Sequence, residues 1–498
     1  MSSMILIGYD LGASSYRAVV GEILESEKRV RILESMRWPN KMIRLGRSLY
    51  WDIIEIWDNV KKSIKHFYKK YGDKIYSIGV DSWGVDFALI DSKGDLIELP
   101  HAYRDPRTEN IMERVFEKIS RERIYELTGI QFMRINTIYH LYSMVLNRDP
   151  KLSIASRFLM IPDLIHYWLS GETYVEYTNA TTTQLLDARS RVWSREILRA
   201  LEIPEHIFPE IIYPGTVVGG LKRDLAEELM ISRDISVITP AAHDTASAVA
   251  AGPMISEDTA YISSGTWSLV GVELSEPLLS REALKYNFTN EGGVFNTIRF
   301  LKNVQGMWIV EEIRRILAEE RGLELSYEDI NRRVLETGLT EVYIDPDYEE
   351  FISPDNMIRA VERYLRKTGQ RTELSLGELF RVVYQSLALK YRVVIELLER
   401  VARRRVRAIN VFGGASRNDT LNQLIADLSG RTVYAGPDEA TSLGNILTQA
   451  IGLGLVRSSS ELREYVRNSI EIKRFQPSEN TDRDYHLDRF IRVTGLSL

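Results

Sequence analysis

The sequence predicts an α/β protein made of two related domains, and three observations carry that prediction. Apolar runs of strand length alternate with segments of helical apolar spacing along most of the 498 residues. A strand, a short polar turn and a second strand open the chain, and the same arrangement returns near residue 260. Small residues and proline at Gly252-Pro253 break any regular element between the two. The length is too great for one hydrophobic core. The reading is therefore a first domain over 1–250, a second over 251–455, and a solvated extension with a closing helix over 456–498.

Taken in order, residues 4–9 form an apolar run that reads as a buried strand. It ends in the turn-like Asp10-Leu11-Gly12-Ala13-Ser14-Ser15 and resumes as a strand over 17–23. A further strand is expected over 43–50, a helix over 53–71, and a strand over 75–80 that enters Asp81-Ser82-Trp83-Gly84 and continues over 85–90. From 110 to 203 the spacing is mainly helical, with 156–169 among the better cases, and a β-branched strand follows over 235–240. The second half repeats the opening. A strand over 259–262, the polar turn Ser263-Ser264-Gly265-Thr266 and a strand over 267–274 lead into charged helices, one of them over 309–322. A late strand over 408–412 then runs into Gly413-Gly414 and a helix over 418–428.

Composition narrows the function. An apolar share of 44% and a charged share of 27% describe an ordinary globular chain. No apolar stretch reaches the roughly 18 residues that span a bilayer, and the N-terminus lacks a secretory pattern, so a cytoplasmic location without a membrane partner is expected. A net charge of −6 argues against a nucleic-acid partner, because phosphate backbones need a positive face. The chain has no cysteine and its seven histidines are scattered singly, which removes thiolate chemistry and makes a zinc site improbable. The arginines at 403–405 and 407 read as the solvated end of a helix.

Neither a P-loop nor a dinucleotide fingerprint occurs. Phosphate can also be held by a strand–turn–strand rich in Gly, Ser and Thr, whose N–H groups and hydroxyls form an anion nest. Residues 12–15 and 263–266 each fit, and either could equally be a plain hairpin. Asp10, at the end of a buried strand, needs a partner such as a magnesium-bound water or its own turn. Asp244 in His243-Asp244-Thr245 reads as an N-cap or as a general base. Trp83, Gly84 and Asp86 suit a sugar, whose C–H faces stack on indole, or a packed core.

These stretches together resemble the FGGY family of carbohydrate kinases, which share the duplicated fold of hexokinase and actin. The matching segments include DLGASSYR at 10–17, IGVDSWGVDFALID at 78–91, YTNATTTQLLD at 177–187, AHDTASAV at 242–249, YISSGTWSLVG at 261–271, NFTNEGG at 287–293, LKNVQGMW at 301–308 and FGGASRN at 412–418. The resemblance implies two actin/hexokinase-like (ribonuclease H-like) domains with ATP and a small-molecule sugar in a cleft between them, and ATP and Mg²⁺ as cofactors. It implies that Asp244 is the base on the sugar O1, and that Gly84, His243, Asp244, Thr245 and Asn303 contact a ketose. Ala13, Ser14, Ser15, Tyr16, Arg17 and Thr266 would bind ATP phosphates, Glu311 and Gly414 would lie at the nucleotide, and Asp10 would hold Mg²⁺ through water. The sugar it points to first is L-rhamnulose, with L-fuculose or a pentulose as alternatives on the same fold and an actin-like ATPase as the reading from another class.

Three positions depart from the family pattern. Tyr16 stands where the phosphate turn usually has glycine, Glu311 takes the place of a nucleotide-contacting glutamine, and Ala415-Ser416 replaces a third glycine and a small polar residue.

Overall fold

The computed structural model describes residues 4–265, 267–352, 354–496 and 498. They fall into two compact units, one of Met1–Ala251, Glu273–Phe300 and Ala440–Ser469, the other of Gly252–Val272, Leu301–Glu439 and Ile470–Leu498. The first break, at Ala251/Gly252, lies where the small residues and proline stand in the sequence. The segments 273–300 and 440–469, assigned by sequence to the second half, pack with the first unit.

The first unit is built on a sheet of β1 (Met4–Leu11), β2 (Ser15–Leu24), β3 (Arg29–Pro39), β4 (Ile75–Ser82), β5 (Val217–Gly220) and β6 (Ser236–Ile238), in the order β5-β6-β4-β1-β2-β3. β1 is antiparallel to β2 and parallel to β4, β6 is parallel to β4, and β5 closes that edge antiparallel to β6. The second unit holds β7 (Thr259–Ser264), β8 (Trp267–Leu274), β9 (Ile298–Gln305), β10 (Ala408–Phe412), β11 (Thr432–Ala435) and β12 (Lys473–Phe475), in the order β9-β8-β7-β10-β11-β12. There β7 is antiparallel to β8 and parallel to β10, β11 is parallel to β10, and β12 is antiparallel to β11. The same four pairings recur in the same order, so the duplication read from the two polar turns is present.

Helix α1 (Ile53–Tyr71) covers one face of the first sheet. Ile53, Ile56, Val60, Ile64 and Phe67 recur at three- and four-residue spacing and are buried against β1 and its neighbours, each such side chain contributing roughly 1.5–3 kcal/mol. Asp52 caps its start by accepting from the Glu55 N–H at 3.0 Å. Tyr9 is fully buried on the same side, and its hydroxyl donates to the Val60 carbonyl at 3.1 Å.

The opposite face is covered by α2 (Asp244–Ala250) and α3 (Ala440–Gly452), which cross closely. A Cβ on Gly444 would stand 1.8 Å from the Ser247 carbonyl oxygen, so only glycine permits that crossing. Side chains of α3 then hydrogen-bond the sheet. Gln449 donates to the Ile7 carbonyl at 3.0 Å and accepts from Ser77 Oγ at 2.7 Å, and Asn445 donates to Asp81 Oδ2 at 2.7 Å.

A buried carboxylate ties the loop after residue 175 to the segment that leads into α2. Glu176 Oε2 accepts from Thr178 Oγ1 at 2.6 Å and from the N–H groups of Asn179 and Ala242, both at 3.1 Å. Burial pushes this carboxyl up to about 7, against the lowering effect of those donors. Its Oε1 has no hydrogen-bond partner.

Three sequence expectations are corrected. Residues 43–50 are not one strand but the hairpin Met42–Leu45 and Ser48–Trp51, turned at Gly46, whose φ of 62° only glycine adopts readily. Over 156–169 a strand, Arg157–Met160, precedes the helix Ile161–Ser170, because Pro162 fits the first turn of a helix and not its interior. The extension after 456 is not a solvated tail. Its helix Ser459–Ser469 buries Leu462, Tyr465 and Val466, β12 extends the second sheet, and Arg483–Thr494 buries Leu487 and Phe490.

Gly444→Ala is expected to lower the thermal midpoint by several degrees, an overpacking cost of at least ~1–3 kcal/mol. Gly220→Ala, whose Cβ would meet nothing nearer than 3.9 Å, should leave it unchanged. Equal midpoints for the two variants would refute the close crossing of α2 and α3. Glu176 has a folded pKa above its unfolded value, so its stabilising contribution is full below about 4.5 and is lost as pH rises through about 7. Glu176→Gln should therefore raise the midpoint at pH 8 by a few degrees, on the order of 3 kcal/mol at most, and by nothing at pH 4. Melts that show the same difference at both pH values would contradict it.

Candidate active site

The site in the first unit begins where β1 and β4 end. Asp10 and Asp81 are Cα partners across that parallel pair, and Arg17 is the partner of Asp10 across the β1/β2 hairpin. Arg17 Nε lies 3.3 Å from Asp10 Oδ2. Burial drives the Asp10 carboxyl up to about 6, the nearby Arg17 opposes that rise, and Asp244 adds to it. Asp81 is fully buried, Oδ1 has no hydrogen-bond partner, and burial followed by repulsion from Asp10 holds its carboxyl well above the usual range.

The turn between β1 and β2 is fixed from outside. Asn40 donates through Nδ2 to the Gly12 carbonyl at 2.9 Å and through its backbone N–H to the Ser14 carbonyl at 3.0 Å. Ala13 is half-buried, Ser14 is exposed, and Ser15 Oγ accepts from Arg37 Nη2 at 2.8 Å. The Tyr16 side chain turns into the core, stacks on Trp38 and accepts from Asn59 Nδ2 at 2.6 Å. Its side chain is thus packed away from the turn itself.

His243, Asp244 and Thr245 stand at the start of α2, positioned by a β-bridge from His243 to Ser82 and by the His243 N–H donating to Thr178 Oγ1 at 3.1 Å. Asp244 Oδ1 accepts from the Thr245 N–H at 2.5 Å and from Thr245 Oγ1 at 3.1 Å, and His243 Nε2 lies 3.5 Å away. Burial raises the Asp244 carboxyl and the neighbouring His243 opposes the rise. On the other side of the imidazole, Arg299 Nη2 lies 3.0 Å from His243 Nδ1, and Glu291 Oε2 lies 3.2 Å from Arg299 Nη2.

Gly84 follows β4, and a Cβ there would stand 3.0 Å from the Thr182 side chain. Beside it, Asp86 Oδ2 accepts from the indoles of Trp51 and Trp83 at 2.6 and 2.8 Å and from the Tyr103 N–H at 3.1 Å. Burial pushes the Asp86 carboxyl to about 7 against these three donors. Both indoles are buried, so the cluster holds the loop around Gly84 and does not itself offer a stacking face.

In the second unit, Thr266 lies outside the described residues, and its turn is bounded by Gly265 and β8. Ser264 Oγ, Ser268 Oγ and the Tyr391 hydroxyl form a buried chain with spacings of 2.9 and 2.6 Å. Gly413 has φ 81° and passes so near the Ser264 carbonyl that a Cβ would lie 2.9 Å from it, while a Cβ on Gly414 would meet nothing within 4 Å. Asn303 is half-buried on β9. Glu311 lies half-exposed near the start of Trp308–Arg321, paired with Arg314 at 2.8 Å and hydrogen-bonded by the Tyr327 hydroxyl.

The structure thus brings Asp10, Arg17, Gly84, His243, Asp244 and Thr245 into one unit and sets Asn303, Glu311 and Gly414 in the other. Sequence reasoning gave no role to Glu176, Arg299, Glu291 or Asn445. A signal existed for two of them, since charged residues inside the strand-like runs 289–292 and 298–305 need partners when buried. No helix among the described residues is long and apolar enough to cross a membrane.

Comparison with known proteins agrees with this architecture. Residues 5–251 match the N-terminal domain of the FGGY family of carbohydrate kinases, and residues 260–453 match its C-terminal domain. The chain is 40% identical over 470 residues to a rhamnulokinase of Halalkalibacterium halodurans, covering 94% of this chain and 98% of that protein. It is 39% identical over 473 residues to a rhamnulokinase of Bacteroides thetaiotaomicron, covering 94% and 95%. The fold superimposes on a gluconate kinase of Lactobacillus acidophilus with a TM-score of 0.79 at 18% identity, over 98% of this chain and 96% of that one. Two family domains in sequence order, each on one copy of a repeated sheet, leave one assignment: the chain belongs to the FGGY family of carbohydrate kinases.

Proposed function

We propose that this carbohydrate kinase transfers the γ-phosphoryl group of ATP to O1 of L-rhamnulose, giving L-rhamnulose 1-phosphate and ADP. The choice of sugar is supported by the rhamnulokinases to which the chain is 40% and 39% identical over nearly its whole length. The chemistry rests on one observation. Of the three carboxyls whose pKa burial raises there, Asp244 keeps a 27% exposed side chain, whereas Asp10 keeps 10% and Asp81 none. Asp244 is the carboxylate that a sugar hydroxyl can reach.

Asp244 accepts the O1 proton as O1 forms its bond to the γ-phosphorus. The bond from that phosphorus to the β,γ-bridging oxygen breaks, and ADP leaves with the electron pair. A carboxyl held above its ordinary range by burial is a stronger base than an exposed one, which suits this task. Gly84, His243, Thr245 and Asn303 contact the ketose in this reading. Ala13, Ser14, Ser15, Arg17 and the backbone of Tyr16 bind phosphate oxygens with Thr266, while Gly414 and Glu311 lie at the nucleotide. ATP as co-substrate is consistent with a cytoplasmic enzyme.

The carboxylates fit a hydrated magnesium ion. Asp10 is paired by one guanidinium, and the buried Asp81 Oδ1 lacks a donor. The described residues contain no group of three or more ligating side chains close enough to enclose a bare cation, and Mg²⁺ commonly keeps several waters. Asp10 and Asp81 would hold it through that water. Bound there with ATP, Mg²⁺ would neutralise the phosphate charge.

Asp244→Asn is expected to bind ATP within twofold of the native affinity by calorimetry and to lose roughly 10²–10⁴-fold in kcat. Turnover near the native value would end its assignment as the base. In a coupled ADP assay with Mg-ATP, L-rhamnulose should give the highest kcat/KM in a panel with L-fuculose, L-xylulose, L-ribulose and no sugar. Preference for another ketose would overturn the sugar and keep the base, and ADP release independent of sugar would overturn the reaction.

A further inference from the structure

Arg299 is fully buried and makes two hydrogen bonds that fix its plane. Nε donates to the Gly292 carbonyl at 2.7 Å, and Nη2 bonds His243 Nδ1 at 3.0 Å. A guanidinium carries only donors and stays protonated in proteins. The hydrogen in the second bond therefore belongs to Arg299, and His243 Nδ1 presents a lone pair. A neutral imidazole in that state carries its proton on Nε2, the nitrogen that lies 3.5 Å from Asp244 Oδ1. Glu291 Oε2 lies 3.5 Å from Nδ1, farther than the guanidinium at 3.0 Å, and stands 3.2 Å from Arg299 Nη2. Glu291 thus offsets the charge of the buried guanidinium.

The two oxygens of Asp244 are consequently unlike. Oδ1 takes the Thr245 N–H and hydroxyl and faces the His243 Nε2–H. We infer that Arg299 is a positioning residue for phosphoryl transfer: it locks His243 as the Nε2–H tautomer, whose N–H dipole faces Asp244 Oδ1 across 3.5 Å and, with the Thr245 donors on that oxygen, leaves Oδ2 to take the sugar proton. The catalytic half of this inference rests on the proposed reaction, and the tautomer does not.

The test uses full-length protein labelled with ¹⁵N-histidine. The chain has seven histidines, and the resonances of His243 are those lost in His243→Gln. At pH 7.5 without substrate, the ¹⁵N shifts and two-bond couplings should show the Nε2–H tautomer. Arg299→Met should abolish that lock and lower kcat about 10- to 100-fold, the scale typical of lost orienting residues, with KM for ATP within twofold. A proton on Nδ1 in the native protein overturns the inference, and that spectrum decides alone if Arg299→Met fails to fold. So does any separation of the two effects in Arg299→Met, whether the tautomer is kept while kcat falls or lost while kcat stands. If the native protein phosphorylates no ketose, the reaction fails while the tautomer still answers for Arg299.

Discussion

Like charge confined at the ends of two adjacent strands is the constraint around which the first unit is arranged. Asp10 and Asp81 are register partners on β1 and β4, and neighbouring strands lie only about 4.8 Å apart. Two carboxylates there, with Asp244 adding to the field, cannot all ionise cheaply in a buried place. The surrounding structure answers with two sets of partners, Arg17, Arg37 and Ser442 for Asp10 and Asn445 and Ser247 for Asp81. Neither is enough to satisfy both groups, since Asp81 Oδ1 remains without a donor. Burial without full compensation is what keeps both carboxyls above their usual range.

Supplying those few donors dictates much of the packing. Asn445 can reach Asp81 only because α3 lies close on the sheet, where a Cβ on Gly79 would stand 2.7 Å from the Gln449 side chain. α3 in turn crosses α2 at Gly444, and α2 begins at Asp244. Asp244 is thus set by a helix that is itself set by a polar seam between α3 and the strands. Glu176 does comparable work on the preceding segment, joining 178–179 to 242 through a single oxygen.

This hierarchy explains what the sequence revealed. β1, α1, β8 and β10 were legible because continuous apolar runs or strict helical spacing leave one solution, and the polar turns at 12–15 and 263–266 exposed the duplication. Asp10, Gly84 and Asp244 stood out because each sits in a short motif beside a strand. The residues that hold them did not. Asn445, Gln449, Glu176 and Arg299 act across 50 to several hundred positions of sequence, and a polar residue inside an apolar run does not name its partner. The misread segments have local causes. Gly46 turned one expected strand into two, Pro162 delayed a helix, and Leu462, Tyr465 and Val466 gave the supposed tail a buried face.

The two copies of the repeated unit also show why charge is concentrated in one. The hairpin β1/β2 ends with a carboxylate opposite a guanidinium, whereas β7/β8 ends with Ser264 opposite Ser268. Hydroxyls can be buried at little cost once paired, and here they are, through Ser268 to the Tyr391 hydroxyl. At that turn the second copy is therefore satisfied by neutral groups, and a Cβ on Gly265 or Gly414 would meet nothing within 4 Å. The corresponding turn of the first copy keeps a carboxyl, Asp10, which burial raises to about 6 against the opposing Arg17. One fold used twice thus sets a neutral turn in one copy against a charged one in the other, and the charged copy draws a donor from α3 through Asn445.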